Sequence, residues 1–239
     1  MGTLELKNRP FRYASDPSRR KPRVVEGSYF LAGGLLPEKA ALLIDGGFLK
    51  KKLQTLNHRF PSVADITTFV TATLAKPPLT GVSVFRVYFY DAPPFEGTAS
   101  NPISGAVINF SGTVQARQNQ ALLQSLELQP NFAVRRGTLM LSGWKLGNAA
   151  IRSLAAGARP ISANDFVPDM GQKGVDMRIG LDIAWLSLKR IVDSVVLVTG
   201  DSDFVPAMKF ARREGLRVYL EAMSHAVRRE LKVHADIVL

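Results

Sequence analysis

Two aspartates of this chain follow an apolar run that is typical of a buried β-strand. Residues 195–198 are aliphatic, Asp201 and Asp203 come shortly after them, and a helical pattern begins at Pro206. In open parallel sheets, ligands bind in the crevice at the carboxyl ends of the strands. Helix capping is the simpler explanation, but it accounts for one acidic residue and not for two. The pair is therefore predicted to take part in chemistry.

A second strand of the same kind ends in Asp45. Residues 40–44 form a short apolar run, and two glycines and a helical pattern follow Asp45. A further acid, Asp176, begins the strongest helical pattern of the chain, where the helix dipole alone would also favour a carboxylate. If the strands that end near Asp45 and Asp201 are neighbours, their carboxyl groups converge, and Asp176 can join them.

Carboxylates that converge within a few ångströms must either take up protons or bind a cation. The chain has no cysteine and 3 histidines, which favours oxygen ligands and therefore Mg²⁺ or Mn²⁺ over zinc. The natural partner of such an ion is a phosphate, and we infer hydrolysis of a phosphodiester. One ion, or two about 4 Å apart, would make the attacking water nucleophilic. Lys173 and Arg178 are expected to hold backbone phosphates, and Arg135 and Arg136 could line a groove.

Other polar residues are weaker candidates. Asp182 lies six residues after Asp176, about 240° further round the helix, so it is ranked as a supporting group or ion-pair partner. Asp91 ends a strand, but it is followed by Ala-Pro-Pro, and the turn expected there is enough to explain an aspartate at this position. Thr199 and Ser202 are kept as supporting residues of the last acidic motif. The histidines are dispersed and are predicted to be surface residues: His58, His225 and His234.

The elements that must position these residues alternate between strand and helix at least five times. Strand patterns lie at residues 40–44, 82–90, 132–140, 195–198, 216–220 and 236–239, and helical patterns at residues 48–56, 63–74, 115–126, 176–190, 206–211 and 226–233. This alternation predicts a three-layer α/β fold, with a mainly parallel central sheet flanked by helices. Residues 92–112 are predicted to be a loop, and residues 142–172 have no assignable pattern. Two apolar stripes on the helix at 176–190 indicate deep packing on both sides.

The composition favours a polyanionic partner. The formal net charge is +11 over 239 residues, and 46% of them are hydrophobic, enough for one full domain. Residues 1–38 are predicted to be a basic, flexible arm, and residues 39–239 are predicted to be the folded domain. The first residues lack the apolar core of a secretory signal, and no stretch is apolar enough to span a membrane, so a cytoplasmic protein is expected.

The acidic motifs resemble, in order, those of the NYN family, the LabA-like group of PIN-like nucleases. The resemblance spans about residues 40–239, and the matching pieces are residues 43–48, 88–92, 173–176 with Asp182, 199–206, 215–218 and 235–236. It implies a PIN-like fold whose acidic pocket binds Mg²⁺ or Mn²⁺ and cuts RNA internally. Asp45, Asp176 and Asp201 fall on the principal acids of the family, and Asp203 falls on the further acid of the last motif. Gly47 departs from the family, because many members carry asparagine there.

The resulting hypothesis is a metal-dependent endoribonuclease with RNA as its partner. The oligomeric state is left open, with a homo-oligomer as an alternative to a monomer. A non-catalytic RNA-binding module of the same fold is the first rival. The second is a phosphatase-like or receiver-like enzyme, since these also place an aspartate after the first strand. Haloacid phosphatases require a second aspartate two residues later, where this chain has Gly47.

Overall fold

The computed structural model describes residues 37–239 of the chain. The basic arm predicted at residues 1–38 therefore lies almost entirely outside the described residues. Within them, no helix has both the length and the apolar character required to cross a bilayer.

Ten strands and seven helices make up the described part of the chain. The strands are β1 (Lys39–Asp45), β2 (Ser83–Asp91), β3 (Thr98–Ser100), β4 (Val107–Asn109), β5 (Phe132–Arg136), β6 (Thr138–Leu146), β7 (Phe166–Lys173), β8 (Ser194–Val198), β9 (Arg217–Glu221) and β10 (Ile237–Val238). The helices are α1 (Gly46–Asn57), α2 (Val63–Leu74), α3 (Val114–Glu127), α4 (Asn148–Ala156), α5 (Val175–Leu188), α6 (Val205–Arg213) and α7 (Arg229–Val233).

Six parallel strands form the central sheet in the order β10-β9-β8-β1-β2-β5. The first strand of the sheet in chain order, β1, lies in the middle of the sheet. Strands β2 and β5 then build one edge, and β8, β9 and β10 build the other edge. The order therefore reverses between β1 and β8. In doubly wound sheets, such a reversal opens a crevice at the carboxyl ends of the two strands.

Helices cover both faces of this sheet, which confirms the predicted three-layer α/β fold. Strand β1 shows why, because its consecutive side chains point to opposite faces. Leu42 and Ile44 pack in one core with residues of α1, α2 and α3. Ala41 and Leu43 pack in a second core with residues of α5, α6 and α7. Both faces of β1 are buried, as its continuous apolar sequence requires.

Two antiparallel hairpins extend from the chain segments that the sequence left without assigned elements. The hairpin β3–β4 lies within residues 92–112, so the prediction of a loop there was partly wrong. The hairpin β6–β7 spans residues 138–173 and encloses α4, and it accounts for most of the segment without a pattern. None of the residues in these four strands is fully buried, which gives the strands a weak hydrophobic signal.

Helix α5 packs on one side only, and the prediction of deep packing on both sides was wrong. Its stripe containing Ile179 and Ile183 is buried against the sheet. The second stripe is exposed, with Leu181 at 62%, Trp185 at 45% and Leu188 at 62% of their accessible surface. A surface helix of a three-layer fold has the sheet on one side alone, so its outer apolar residues stay largely exposed in the described part of the chain.

Gly46, the first residue of α1, is expected to tolerate no side chain. A Cβ at this position would lie 2.6 Å from the carbonyl oxygen of Tyr90 and 2.8 Å from the ring of Phe89. Gly46→Ala should therefore lower the free energy of unfolding by about 1–3 kcal/mol through overpacking. Gly180→Ala is the matched control, because open space surrounds that position within α5, and it should raise stability by about 0.5–1 kcal/mol. Chemical denaturation measures both changes, and equal stability of Gly46→Ala and wild type would contradict the packing.

Candidate functional site

The reversal point of the sheet carries the first two predicted acids. Strands β1 and β8 pair in register, with Ile44 opposite Val198, so that Asp45 and the segment 199–203 emerge side by side. The buried side chain of Thr199 connects them: its hydroxyl donates to Asp45 Oδ2 at 3.4 Å and accepts from the Asp201 amide at 3.1 Å. Thr199 therefore fixes the distance between the two acidic turns.

Asp45 is a half-buried carboxylate that also begins α1. Its Oδ1 accepts a hydrogen bond from the Phe48 amide at 3.0 Å, as an N-cap residue does. Burial is the main reason why the pKa of Asp45 is raised, and repulsion from the Asp176 carboxylate adds to it. The charged form of Asp45 is thus held in an unfavourable environment.

Asp176 and Asp203 complete the acidic group. Asp176 lies in the first turn of α5, where partial burial, followed by repulsion from Asp201 and Asp203, raises its pKa. The Asp203 amide donates to Asp201 Oδ1 at 3.0 Å in a short 3₁₀ turn, Ser202–Phe204. The structure thus brings the four principal acids named from the sequence to one edge of the sheet. They are Asp45, Asp176, Asp201 and Asp203.

The chemistry of these four donors suits a hard divalent cation such as Mg²⁺ or Mn²⁺, which prefers carboxylate oxygens. Within residues 37–239, no three acidic or histidine side chains come close enough together to form a metal-binding group. Burial is the main cause of the raised pKa values of Asp45 and Asp176, and a bound cation would remove the repulsion between carboxylates that adds to it. We call the four residues the acidic group.

An open cleft of about 540 Å³ lies against three members of the acidic group, Asp45, Asp201 and Asp203. Sequence reasoning missed the basic residues that also line it, Lys51 and Arg228. The only available signal for Lys51 was its place in a lysine triplet just after the first acidic turn. Nothing in the sequence indicated Arg228, whose Nη1 lies 3.4 Å from the Ser202 hydroxyl.

His225 also lines this cleft, whereas the sequence predicts only a surface residue there. Its ring is exposed, lies edge-on to Phe48 with the ring centroids 6.0 Å apart, and has Nδ1 3.0 Å from Lys52 Nζ. A lysine ammonium can only donate hydrogen bonds, so Nδ1 of His225 is the acceptor. The N–H of the neutral ring is then on Nε2.

Asp182 points away from the acidic group, as its helical spacing predicts. It accepts a hydrogen bond from the Tyr90 hydroxyl at 2.8 Å and pairs with the Arg135 guanidinium at 3.0 Å. Burial, with repulsion from this carboxylate second, raises the pKa of Tyr90 far above its ordinary value. Asp182 is therefore an ion-pair partner.

Asp91 is not a turn residue, and the simple explanation from its Ala-Pro-Pro neighbours was wrong. Its side chain is 0% exposed at the end of β2. It forms an ion pair with Lys50 and accepts from Gln172 Nε2 at 2.8 Å. Lys50 also donates to Asn119 Oδ1 at 2.7 Å. A buried carboxylate needs such partners, so Asp91 is the centre of a polar network.

The four basic residues predicted to hold nucleic acid have different surroundings. Arg135, Arg136 and Arg178 line one groove of about 420 Å³. Arg135 is paired with Asp182, Arg136 is paired with Glu127 at 2.8 Å, and Arg178 donates to a backbone carbonyl at 2.7 Å. Lys173 is exposed at the end of β7, and it lies five residues before the groove residue Arg178 in the sequence.

Removing the charge of Asp176 is expected to stabilise the fold. Because its pKa is raised, the folded state binds more protons than the unfolded state just above the ordinary value of about 3.9. The free energy of unfolding therefore falls as pH rises through that window, and the cost persists at neutral pH. Thermal melting should show a higher Tm for Asp176→Asn at pH 7 and no such gain at pH 3. A lower Tm at pH 7 would contradict the repulsion.

Comparisons with known proteins give one similar solved structure and one family. A solved structure of a protein of unknown function from Vibrio parahaemolyticus shares 18% identity with it at a TM-score of 0.47, covering 85% of this chain and 92% of that chain. No curated protein gives a significant match. A sequence model described as the NYN domain matches residues 118–238, a range that contains three of the four acids and leaves Asp45 outside. Because this match covers half of the chain, the protein belongs to the NYN domain family, within the PIN-like nuclease superfamily.

Proposed function

We propose that the protein is a metal-dependent endoribonuclease that hydrolyses RNA phosphodiester bonds at the acidic group. The observation that carries this proposal is the position of these acids. They lie near one another at the reversal point of a parallel sheet, and burial, followed by repulsion between carboxylates, raises the pKa values of two of them. Perturbed acids at such a point favour a functional site over a purely structural one.

In this proposal the acidic group holds Mg²⁺ or Mn²⁺, and the other residues of the cleft orient the substrate. When bound, the ion supplies a nucleophilic water at neutral pH and stabilises charge on the leaving oxygen. The hydrogen bonds from Thr199 and Phe48 hold both oxygens of Asp45 in place. Lys51 and Arg228 put positive charge on the rim of the same cleft, where it would attract a phosphate.

Three features favour RNA as the substrate. NYN domains are generally nucleic-acid-binding, and this chain has an NYN domain. The net charge of +11 suits a polyanion. The groove that contains Arg135, Arg136 and Arg178 adds guanidinium charge that would attract phosphates, beside the ion pairs that Arg135 and Arg136 already form.

The test is cleavage of an internally labelled single-stranded RNA with Mn²⁺, Mg²⁺ or EDTA, using wild type and Asp201→Asn. We expect internal cuts that need the metal and that disappear in the variant. RNA binding on a native gel should be kept or improved in Asp201→Asn, because a negative charge facing phosphate is removed.

Two outcomes would overturn the proposal. If wild type and Asp201→Asn shift the RNA equally and neither cuts it in any metal, the protein is a binding module. If wild type turns over a small phosphomonoester and leaves RNA intact, it is a phosphatase-like enzyme. Both assays use the same purified protein, so that inactivity through misfolding is recognised by the loss of binding.

A further inference from the structure

A second cavity lies beside the acidic cleft and has no part in the chemistry described above. Its volume is about 520 Å³, within the range that small-molecule sites occupy. Its walls come from the two hairpins, from the start of α3 and from the end of β2. Both hairpins lie outside the central sheet, and together they enclose this space at its carboxyl edge.

Most of the cavity wall is apolar and aromatic. Phe60, Phe95 and Phe110 line it, with Leu139 and Met170 from the hairpin β6–β7. The rings of Phe95 and Phe110 meet edge to face, with their centroids 5.7 Å apart. An edge-to-face contact uses the edge of one ring and one face of the other, so the faces of the first ring are not part of it and can take a flat ligand.

One end of the cavity is polar, and it is the network around the buried Asp91. Lys50, Asn119 and Gln172 all line the cavity there. Lys50 Nζ donates to Asp91 and to Asn119, so that in the part of the chain that the structure describes one N–H of this ammonium remains for a ligand. The polar end therefore offers a charged donor that is already fixed in position.

The same polar end lies next to the acidic group. A Cβ at Gly47 would lie 3.3 Å from Asp45 Oδ1 and 3.4 Å from Gln172 Oε1, so the carboxylate and the amide flank one point. Lys50 and Lys51 are consecutive residues of α1, and one lines the cavity while the other lines the acidic cleft. A ligand that reached from the cleft into the cavity would pass this point.

We propose that the cavity binds a nucleobase of the RNA, next to the phosphodiester that the acidic group cleaves, and this inference rests on the proposed function. The base stacks on a phenylalanine ring, and the free N–H of Lys50 donates to an acceptor atom of the base. Aromatic stacking accepts any base because each has a π-face. Every standard base also has such an acceptor, a carbonyl oxygen in guanine, uracil and cytosine and a ring nitrogen in adenine. The cavity therefore accepts any of the four bases.

The test uses Asp201→Asn, which should hold RNA without cutting it, and short single-stranded RNAs that differ at one position. Phe110→Ala in this background should weaken binding at least about fivefold, the loss expected for one stacked base. Val107→Ala is the matched control, because it lies on the same hairpin, is 68% exposed and does not line the cavity. It should change affinity less than twofold, and equal melting temperatures of the two variants exclude a folding defect.

Photocrosslinking of RNA that contains 4-thiouridine gives a readout that needs no cleavage. Mass spectrometry should find the label on cavity residues, such as Phe95, Phe110 or Met170. An abasic nucleotide at the crosslinked position should lower affinity at least about tenfold relative to uracil, since both the stacked ring and the acceptor for the Lys50 donor are then lost. The base is changed instead of Lys50, because that lysine also supports the fold.

The outcomes separate this proposal from the function on which it rests. Crosslinks in the cavity with no cleavage by wild type keep the base site and overturn the nuclease. Metal-dependent cleavage with crosslinks elsewhere, and equal affinity of Phe110→Ala and Val107→Ala, overturns the base site alone. Equal affinity for RNAs with uracil and with an abasic nucleotide at the crosslinked position also overturns the base site.

Discussion

Replacement of Lys50 by methionine is expected to lower the free energy of unfolding by about 3–5 kcal/mol, the cost of leaving a buried charge without its partner. The Asp91 carboxylate is 0% exposed, and Lys50 is the cation that pairs with it. Methionine has nearly the same length as lysine, so that the variant removes the charge with little change in packing. For a domain of this size, the loss corresponds to a fall in Tm of about 10 °C.

Denaturant unfolding of Lys50→Met measures this effect, and Lys51→Met is the matched control on the same helix. Lys51 is exposed, so its replacement should change stability by less than about 0.5 kcal/mol. The double variant Lys50→Met with Asp91→Asn should recover much of the loss, because neither charge is then buried alone. A double variant that is less stable than Lys50→Met would mean that the ion pair is not the cause.

Replacement of Asp45 by asparagine is expected to reduce RNA cleavage at least about 100-fold without unfolding the protein. Asparagine is as good an N-cap residue as aspartate, so the hydrogen bond from the Phe48 amide is kept. It has lost the negative charge that holds a cation, and a bound metal ion is worth several kcal/mol to the transition state. A loss of about 2.7 kcal/mol is a factor of 100 in rate.

Asp65→Asn is the control for this variant, because Asp65 also belongs to a helix cap but lies on α2, away from the acidic group. Hydrogen bonds from Arg59 and Ser62 hold the pKa of Asp65 well below its usual range. Its neutralisation should therefore lower stability at pH 7 and leave cleavage unchanged. Asp45→Asn should do the opposite, with a Tm equal to or above that of wild type, because the pKa of Asp45 is raised. Full activity in Asp45→Asn would remove that residue from the site.

The sequence predicts the framework of the site well, because apolar strands and the acids that end them are local signals. Residues 40–44 and 195–198 are continuous aliphatic runs. Such runs are typical of strands that are buried on both faces. Once these strands are placed side by side in a parallel sheet, the convergence of Asp45 and Asp201 follows. The match to the NYN domain covers the second of these strands and not the first.

The parts that the sequence could not predict depend on contacts between distant segments. Asp91 resembles a turn residue locally, and its burial follows from partners 41 and 81 residues away in the chain, Lys50 and Gln172. The outer stripe of α5, with Trp185, looks identical in sequence to a buried stripe. Arg228 reaches the acidic cleft from a segment between β9 and α7 without any local motif.

The most direct test of the central claim is the rate at which chelator-treated protein cuts labelled RNA as Mn²⁺ is added back, with Asp176→Asn and Asp182→Asn compared. The two acids lie on the same helix, but only Asp176 faces the acidic group, while Asp182 is paired with Arg135. We predict no cleavage before Mn²⁺ is added, cleavage by wild type and Asp182→Asn after it, and at least a 100-fold lower rate for Asp176→Asn. Cleavage that persists in the chelator, or that is equal in Asp176→Asn and wild type, would contradict the claim that these acids form a metal-dependent nuclease site.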